Sequence, residues 1–283
     1  MNKGIAKLLS GLLVGVSSLS VHAAEPTSDL RLYAMDCGQI TIKDAAMFSD
    51  SGDYDGKSLK AVVTCYLVQH PKGTLLWDAG LNDGLAQTPG GVDAGGGNFH
   101  LQVSKPLLPQ LAQVGVSPDN LSFIAFSHLH FDHTGNANAF GKSTWLMNKA
   151  ELASAMSDPP GAAMDPGQIS AHKTAKVEIL TGDHDVFGDG RVRILSTPGH
   201  TPGHQVLMID LAQAGPVVLS GDLYHTHENR KERNVPSFNT SRADTLASFD
   251  RVEKLVKNRK ARFVVQHVQA DLDALPKFPA YLK

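Results

Sequence analysis

A short stretch near the middle of the chain, SHLHFDHTGN, combines four side chains that can bind metal ions. His128, His130, Asp132 and His133 lie within six consecutive positions, directly after the apolar run LSFIAF. His128 and His130 are two residues apart at the end of an expected buried strand, so both side chains point the same way and can bind one ion. Asp132 and His133 follow and can reach a second position nearby. A solvated polar loop is the alternative, but it would not require the preceding buried strand.

The ligand types limit the metal and its chemistry. Neutral imidazole and carboxylate groups without thiolates suit Zn²⁺, and Fe, Mn or Co are also compatible. Two divalent ions a few ångströms apart hold a water molecule and lower its pKa to about 7, which leaves a hydroxide ready to attack a carbonyl carbon or a phosphorus atom. The cluster therefore predicts a hydrolase with two divalent metal ions, most simply zinc.

Short β-rich runs surround the cluster and must position it. AVVTCYLVQ and TLLWDAG, separated by HPKG, have the pattern of a hairpin. A helix is predicted from Lys149 to Ser157, and Ser241 can cap a second helix whose apolar residues share a face. The glycine-rich residues 82–98 are expected to form a mobile loop. Two groups of strands with interspersed helices, without a repeat or a low-complexity linker, predict a single α/β domain.

The first residues have the pattern of a secretory signal. Lys3 and Lys7 precede an apolar stretch from Leu8 to Leu19, and small residues follow it. Several serines interrupt this stretch, which makes a membrane anchor the weaker alternative because spanning needs about 20 apolar residues. We therefore predict a signal peptide over residues 1–23 and a hydrolase domain over residues 24–283. The product should be exported to a periplasm or secreted, with no stable membrane anchor after cleavage.

The composition is that of a mildly acidic globular protein. The chain has 283 residues, 42% of them hydrophobic, which is enough for a sizeable core. Removing the signal with its two lysines leaves 24 basic against 28 acidic residues, which argues against a nucleic-acid partner. Cys37 and Cys65 either form a disulfide, which an oxidising compartment permits, or remain buried thiols. The sequence does not determine the oligomeric state, and a homodimer is one candidate assembly.

The histidine cluster resembles the His-x-His-x-Asp-His signature of the metallo-β-lactamase superfamily. Three later pieces follow in that family's order: TPGH ending at His200, SGD ending at Asp222 and VVQH ending at His267. The resemblance runs from about Arg31 to the C-terminus and implies a four-layer αββα sandwich. It also implies that Asp222 bridges two metal sites. The remaining implied ligands are His128, His130 and His200 at one site, and Asp132, His133 and His267 at the other.

Four further residues could be mistaken for metal ligands or could support them. His204 in TPGHTPGH competes with His200 by spacing, and the resemblance favours His200 as the ligand and His204 in a supporting role. Asp78 in LLWDAG resembles the family's strand-end aspartate that orients a ligand histidine, and a turn residue is the alternative. His225 and His227 follow the bridging aspartate closely. Since seven predicted ligands already fill two sites, we expect these two histidines to support the site or face solvent.

Within the superfamily, DLRLYAMDCGQI, SHLHFDHTGNANAF and the C-terminal FPAYL are most similar to the N-acyl homoserine lactonases, which open the lactone ring of bacterial signals. This similarity implies attack of a metal-bridging hydroxide on the lactone carbonyl, with Asp132 carrying a proton to the departing oxygen. It also implies that Tyr224, two residues after Asp222, donates a hydrogen bond to the carbonyl oxygen. A tyrosine packed beneath the site is the alternative.

Other functions compatible with the same residues stay open. An organophosphate triesterase shares export and a bridging aspartate, a class-B β-lactamase generally lacks that aspartate, and a glyoxalase-like thioesterase usually acts inside the cell. An exported zinc-binding protein without turnover belongs to a different class. The expected partner is thus a small-molecule substrate, a lactone or another ester-like compound.

Overall fold

The structure is a computed structural model that describes Met1 and residues 29–283. The predicted signal peptide, apart from Met1, lies outside the described residues. The strands of the described part are β1 (Arg31–Ile42), β2 (Leu59–His70), β3 (Gly73–Trp77), β4 (Val92–Ala94), β5 (Phe99–Gln102), β6 (Phe123–Ala125), β7 (Thr144–Asn148), β8 (Lys176–Leu180), β9 (His184–Asp185), β10 (Val192–Ser196), β11 (Gln205–Leu211), β12 (Gly215–Leu219) and β13 (Arg262–Val264). Its α-helices are α1 (Leu107–Gln113), α2 (Phe131–Thr134), α3 (Lys149–Ala155), α4 (His227–Glu232), α5 (Arg242–Arg259) and α6 (Gln269–Asp273).

Eight strands form the larger sheet, in the order β4, β5, β1, β2, β3, β6, β7, β8. The HPKG turn joins β2 to β3 in antiparallel pairing with Gln69 opposite Thr74, which confirms the predicted hairpin. From β3 onward the neighbouring strands run parallel, so their carboxyl ends lie at one edge of the sheet. The histidine cluster directly follows β6 and is therefore placed at that edge.

Five strands form the smaller sheet, in the order β13, β12, β11, β10, β9. β12 and β13 pair in parallel with Leu219 opposite Val264, and α4 and α5 lie in the connection between them. Asp222 and His267 each follow the last residue of their strand by three positions. Equal offsets from a paired register bring these two side chains to the same end of the sheet.

Three clusters of buried side chains hold four layers together. On the outer face of the larger sheet, α1 packs Leu107 into the first cluster. Trp77 of the larger sheet and Ile194 of the smaller sheet belong to the second cluster, between the two sheets. Phe249 of α5 packs with Val218 of the smaller sheet in the third cluster. The order helix, sheet, sheet, helix is the four-layer sandwich that the resemblance implied, in a single domain.

The helix α5 begins where the sequence predicts. Ser241 Oγ accepts a hydrogen bond from the Asp244 N–H at 3.2 Å, an N-cap that typically contributes about 1 kcal/mol. The helix ends at Arg259, and Lys260 follows as a C-cap in a left-handed conformation. Among residues 29–283, no helix combines the length and apolar character needed to cross a membrane.

The structure corrects one prediction from the sequence and decides between the two alternatives that were open for the cysteines. Residues 82–98 were expected to form a mobile loop, but Val92 of β4 pairs with Leu101 of β5 at the edge of the larger sheet. The loop prediction is therefore wrong for β4, because the glycines of the GGG turn, all with positive φ, allow the chain to reverse tightly. Cys37 and Cys65, which left two alternatives open, form a disulfide with their Cα atoms 5.9 Å apart.

Candidate metal centre

The predicted ligands lie together, at the end of the two sheets where β6, β12 and β13 finish. The larger sheet supplies His128 and His130 from the segment after β6 and Asp132 and His133 from α2. The smaller sheet supplies the other three. These are His200 from the β10–β11 connection, Asp222 after β12 and His267 after β13. All seven side chains are buried and fall into two groups of neighbouring ligand atoms.

The first group, which we call subsite 1, consists of His128, His130, His200 and Asp222. His200 Nε2 lies 3.2 Å from His128 Nε2 and 3.2 Å from His130 Nδ1. Asp222 Oδ2 lies 3.4 Å from His200 Nε2 and 3.6 Å from His128 Nε2. A tetrahedron of ligands at zinc's usual bond lengths has edges of about 3.3 Å, so this spacing suits one tetrahedral ion.

The second group, subsite 2, consists of Asp132, His133 and His267. The other oxygen of Asp222 faces it, with Oδ1 at 2.9 Å from His267 Nε2 and 3.3 Å from His133 Nε2. Asp132 Oδ2 lies 3.6 Å from His133 Nε2 and 3.7 Å from His267 Nε2. Asp222 thus presents one oxygen to each subsite, which is the arrangement of a bridging carboxylate.

Two buried polar atoms without hydrogen-bond partners indicate whether these residues fit a metal. His133 Nε2 and Asp222 Oδ1 lie 3.3 Å apart, and neither has a hydrogen-bond partner. Leaving a buried polar atom unpaired costs about 1–3 kcal/mol, and a cation bound between them would satisfy both. The imidazole and carboxylate donors match those that divalent ions such as zinc bind in proteins. The residues therefore fit a dinuclear metal centre.

The charge states of the histidines also suit metal binding. Burial lowers the pKa of His130 to about 4 and lowers the pKa of His128 and His200 well below its usual value. Neutral imidazole is the form that binds a metal. In subsite 2, burial opposes the charged form of His133, but nearby carboxylates, first Asp132, raise its pKa well above the usual value. Subsite 2 therefore attracts a cation, and metal uptake there displaces a proton.

Asp78 lies at the end of β3 and orients His133, as the resemblance implied. Its Oδ2 accepts a hydrogen bond from His133 Nδ1 at 3.0 Å. The same carboxylate accepts from the Ser127 N–H and from Gln266 Nε2, each at 2.7 Å. Its backbone has φ 60°, a left-handed conformation that is uncommon for a residue other than glycine. These contacts direct His133 Nε2 towards Asp222.

Two other ligand histidines have partners that the sequence pattern did not reveal. His200 Nδ1 donates to Asn239 Oδ1 at 2.9 Å, and His267 Nδ1 donates to the Val62 carbonyl at 2.8 Å. Asn239 also donates from Nδ2 to Thr245 Oγ1 of α5 at 3.1 Å. Each acceptor fixes the tautomer of its histidine so that Nε2 remains free to bind a metal.

His204 lies behind the centre and supports it. Its Nε2 accepts a hydrogen bond from the Asp222 N–H at 2.9 Å, and its Nδ1 donates to the Thr197 carbonyl at 3.1 Å. Burial lowers the pKa of His204 to about 4, so the ring is neutral and can accept the first bond. The structure thus places His200 among the ligand atoms and uses His204 to hold the backbone of Asp222.

Tyr224 does not reach the centre. Its ring stacks on Phe249 of α5 with the centroids 4.2 Å apart, inside the third hydrophobic cluster. Burial raises the pKa of Tyr224, and the Glu253 carboxylate adds to this effect. The structure therefore places Tyr224 where the alternative had it, packed in the core beneath the site and not among the residues that line the cavity.

His225, the next residue, faces the centre instead. A short 3-10 turn, Gly221–Leu223, carries Asp222, and the chain becomes extended directly after it. Tyr224 is extended (φ −139°, ψ 141°), so its side chain points away from that of His225. His225 Nε2 lies 3.1 Å from Asp222 Oδ2. The spacing of three residues from Asp222 is the signal that could have identified His225.

A cavity of about 300 Å³ opens above the centre. Its polar floor includes His130, Asp132, Asp222, His225 and His267. Its walls are mostly apolar and include Ile40, Ile42, Met47, Phe48, Phe131 and Phe238. This shape suits a small molecule that places an electrophilic group on the floor and an apolar part against the walls.

The fold and this two-subsite centre together define a metal-dependent hydrolase. The chain belongs to the metallo-beta-lactamase superfamily, whose family model matches residues 60–267. The matched region includes every predicted ligand, from His128 to His267. The match confirms the family that the histidine signature indicated.

Several similar proteins are N-acyl homoserine lactonases. The chain is 30% identical over 262 residues to the N-acyl homoserine lactonase AiiA of Bacillus thuringiensis subsp. kurstaki, covering 89% of this chain and 98% of that protein. It is 28% identical over 261 residues to the N-acyl homoserine lactonase AttM of Azorhizobium caulinodans, covering 89% and 97% respectively. A solved N-acyl homoserine lactone hydrolase, with the product N-hexanoyl-L-homoserine bound at its catalytic metal centre, matches with a TM-score of 0.78 at 28% identity, covering 90% of this chain and 100% of that chain.

Proposed function

We propose that this protein hydrolyses the lactone ring of N-acyl homoserine lactones and that zinc occupies both subsites. The cavity carries the proposal, because it joins a floor of metal-binding groups to apolar walls. An N-acyl homoserine lactone has the matching parts: an electrophilic ring carbonyl and an apolar acyl chain. The similar lactonases support the same substrate class, and the N and O ligands without thiolates support zinc.

The chain's own residues have defined tasks in this reaction. When bound, the metal ions would polarise the lactone carbonyl and lower the pKa of a water molecule. Asp132 lines the cavity at 7% exposure, so its carboxylate can carry the proton released by water to the departing ring oxygen. The ring then opens, and its departing oxygen becomes a hydroxyl group rather than an alkoxide. Phe48 and Phe238 line the same cavity and shield the reacting groups from bulk water.

We also propose that the protein is exported, with residues 1–23 as its signal peptide. The Cys37–Cys65 disulfide supports export, because disulfides persist in oxidising compartments and are rare in cytosolic proteins. Mass spectrometry of protein recovered from periplasm and from medium would find an N-terminus near residue 24. Protein found in the cytosol with residues 1–23 retained would contradict this proposal.

A substrate panel tests the lactonase proposal. The zinc-loaded protein would be assayed on lactones with short, medium and long acyl chains, on a phosphotriester, on a β-lactam and on a thioester. We expect the highest kcat/KM for the acyl homoserine lactones and loss of activity after chelation. His200→Ala removes a ligand and should abolish turnover. His227→Ala is the matched control, because that histidine side chain is 58% exposed and contacts Asp271 rather than the centre.

The alternatives give different results in the same panel. A preference for the phosphotriester would indicate an organophosphate triesterase. Zinc binding without turnover of any substrate would indicate a binding protein.

A further inference from the structure

We infer that His225 is a catalytic residue whose Nε2–H donates a hydrogen bond to the substrate carbonyl oxygen as negative charge develops on it. This inference rests on the proposed acyl hydrolysis and adds a residue to it. It gives His225 the task that the sequence pattern had suggested for Tyr224.

The position of His225 on the cavity floor favours this role. The imidazole of His225 is 8% exposed and lines the cavity floor, with ring centroids 5.0 Å from Phe48 and 5.7 Å from Phe238. It lies parallel to the ring of His267 at 6.0 Å. Its Nε2 is 3.1 Å from Asp222 Oδ2, the oxygen that faces subsite 1. Nε2 is therefore directed at the place where a substrate oxygen would meet the centre.

The tautomer of His225 favours the same role. His225 Nδ1 is buried and has no hydrogen-bond partner. A proton on Nδ1 would be a buried donor without an acceptor, which is unfavourable. Nε2 instead lies 3.1 Å from Asp222 Oδ2, an oxygen that can only accept. The neutral ring therefore carries its proton on Nε2.

The tautomer also distinguishes His225 from the ligand histidines. His133, His200 and His267 each donate from Nδ1 to an acceptor, which leaves Nε2 free for a metal. His225 has no such acceptor, and an Nε2 that carries a proton cannot bind a metal. His225 is thus a donor beside the centre and not an eighth ligand.

The other polar groups of the cavity that are not predicted ligands already have hydrogen-bond partners or face solvent. Apart from the predicted ligands, the polar residues that line the cavity are Lys60, His225 and Thr226. Thr226 Oγ1 accepts from the Asn229 N–H at 2.9 Å and also bonds the Tyr54 hydroxyl at 2.5 Å. Lys60 is exposed to solvent on β2. Among these three residues, His225 remains to donate to a reacting oxygen.

The expected loss of kcat is limited because His225 and a metal ion would both contact the substrate carbonyl oxygen. Removing a lone donor to a developing oxyanion lowers kcat by about 100- to 1000-fold. Because a metal ion would share the oxygen, we expect a smaller loss, on the order of tenfold. The loss should appear in kcat rather than in KM, since the bond strengthens as the carbonyl oxygen becomes charged.

Three variants test the inference in the zinc-loaded protein. His225→Phe keeps a planar ring and removes the donor, whereas His225→Gln keeps an N–H donor at the end of a side chain of similar length. Tyr224→Phe is the matched control, because it removes a hydroxyl next in sequence that faces the core. Zinc content, kcat and KM for N-hexanoyl-L-homoserine lactone, and calorimetric affinity for N-hexanoyl-L-homoserine would be measured for each.

We expect His225→Phe to keep two zinc ions, to lose kcat on the order of tenfold and to bind the ring-opened product more weakly, because the product carboxylate loses one donor. His225→Gln should recover part of both losses, and Tyr224→Phe should match the parent. Parent-like kcat and product affinity in His225→Phe would overturn the inference. Loss of zinc from that variant would also overturn it, because it would identify His225 as a ligand.

Failure of the proposed function is distinguishable from failure of this inference. If the parent does not open the lactone, the lactonase proposal fails. The ratio of His225→Phe to parent would then be measured on p-nitrophenyl acetate, whose hydrolysis also places negative charge on a carbonyl oxygen. A lower rate for the variant supports the donor role, and equal rates refute it.

Discussion

Replacing Asn239 by alanine should weaken zinc binding at subsite 1 without removing a ligand. Asn239 Oδ1 accepts from His200 Nδ1 at 2.9 Å, which directs His200 Nε2 to subsite 1. In the variant, His200 either keeps a buried N–H without an acceptor or moves its proton to Nε2. The first outcome costs free energy, and the second blocks the atom that would bind zinc.

The size of the expected loss in zinc affinity follows from the buried hydrogen bond between His200 and Asn239. A buried donor without an acceptor costs about 1–3 kcal/mol, which corresponds to about 5- to 150-fold in affinity. Loss of such a partner typically weakens metal binding by about 10- to 100-fold, within the same range. We therefore expect a 10- to 100-fold loss at subsite 1. Subsite 2 should change little, because His133 and His267 use Asp78 and Val62 as their acceptors.

Competition with a chelator of known zinc affinity measures the zinc affinity of each subsite in turn. The Asn239→Ala protein should release one zinc ion at lower chelator concentration than the parent and the other at an unchanged concentration. Asn239→Asp is the control, since it retains an acceptor for His200 and should bind zinc at least as tightly as the parent. Identical release from Asn239→Ala and parent, or equal weakening of both ions, would refute the role assigned to Asn239.

Three further predictions concern the bridge, the disulfide and acid stability. Asp222→Ala should lower zinc content and rate more than His227→Ala, because the carboxylate contacts both subsites; elemental analysis and kinetics check this. Replacing Cys37 and Cys65 by serine should lower the free energy of unfolding by about 3–4 kcal/mol, and an unchanged urea denaturation curve would contradict it. Burial lowers the pKa of His70, so the folded protein binds fewer protons than the unfolded chain and stability is lost as pH falls below about 6.5. His70→Phe should lose less stability than the parent on acidification, as thermal denaturation at several pH values would show.

The predicted ligands could be found in the sequence because four of them lie in one short segment and the other three follow in the order typical of the family. His128 to His133 lie in one short segment after a strand, and this pattern alone indicates metal binding. Asp222 and His267 give weak signals separately and were identified by the order of the sequence pieces. Their proximity depends on the parallel pairing of β12 with β13, a long-range contact that no local pattern contains.

The residues that were missed depend on geometry that short patterns do not encode. Strand alternation places Tyr224 on the same side as Asp222, but the 3-10 turn changes the phase, so that His225 faces the cavity. Asn239 lies in an irregular connection before α5 and meets His200 across a separation of 39 residues. The strand β4 has three residues, too few for its alternation to be recognised.

The division of the ligands between the two sheets makes metal binding depend on the folding of both. Subsite 1 joins His128 and His130 to side chains from the smaller sheet, and subsite 2 joins Asp132 and His133 to His267. Each bound ion would therefore act as a cross-link between the two halves of the chain. Subsite 2 includes His267, which follows β13 near the C-terminus, so binding of both ions depends on the pairing of that last strand. A chain truncated before β13 would keep most of its strands and lose the ability to hold the pair.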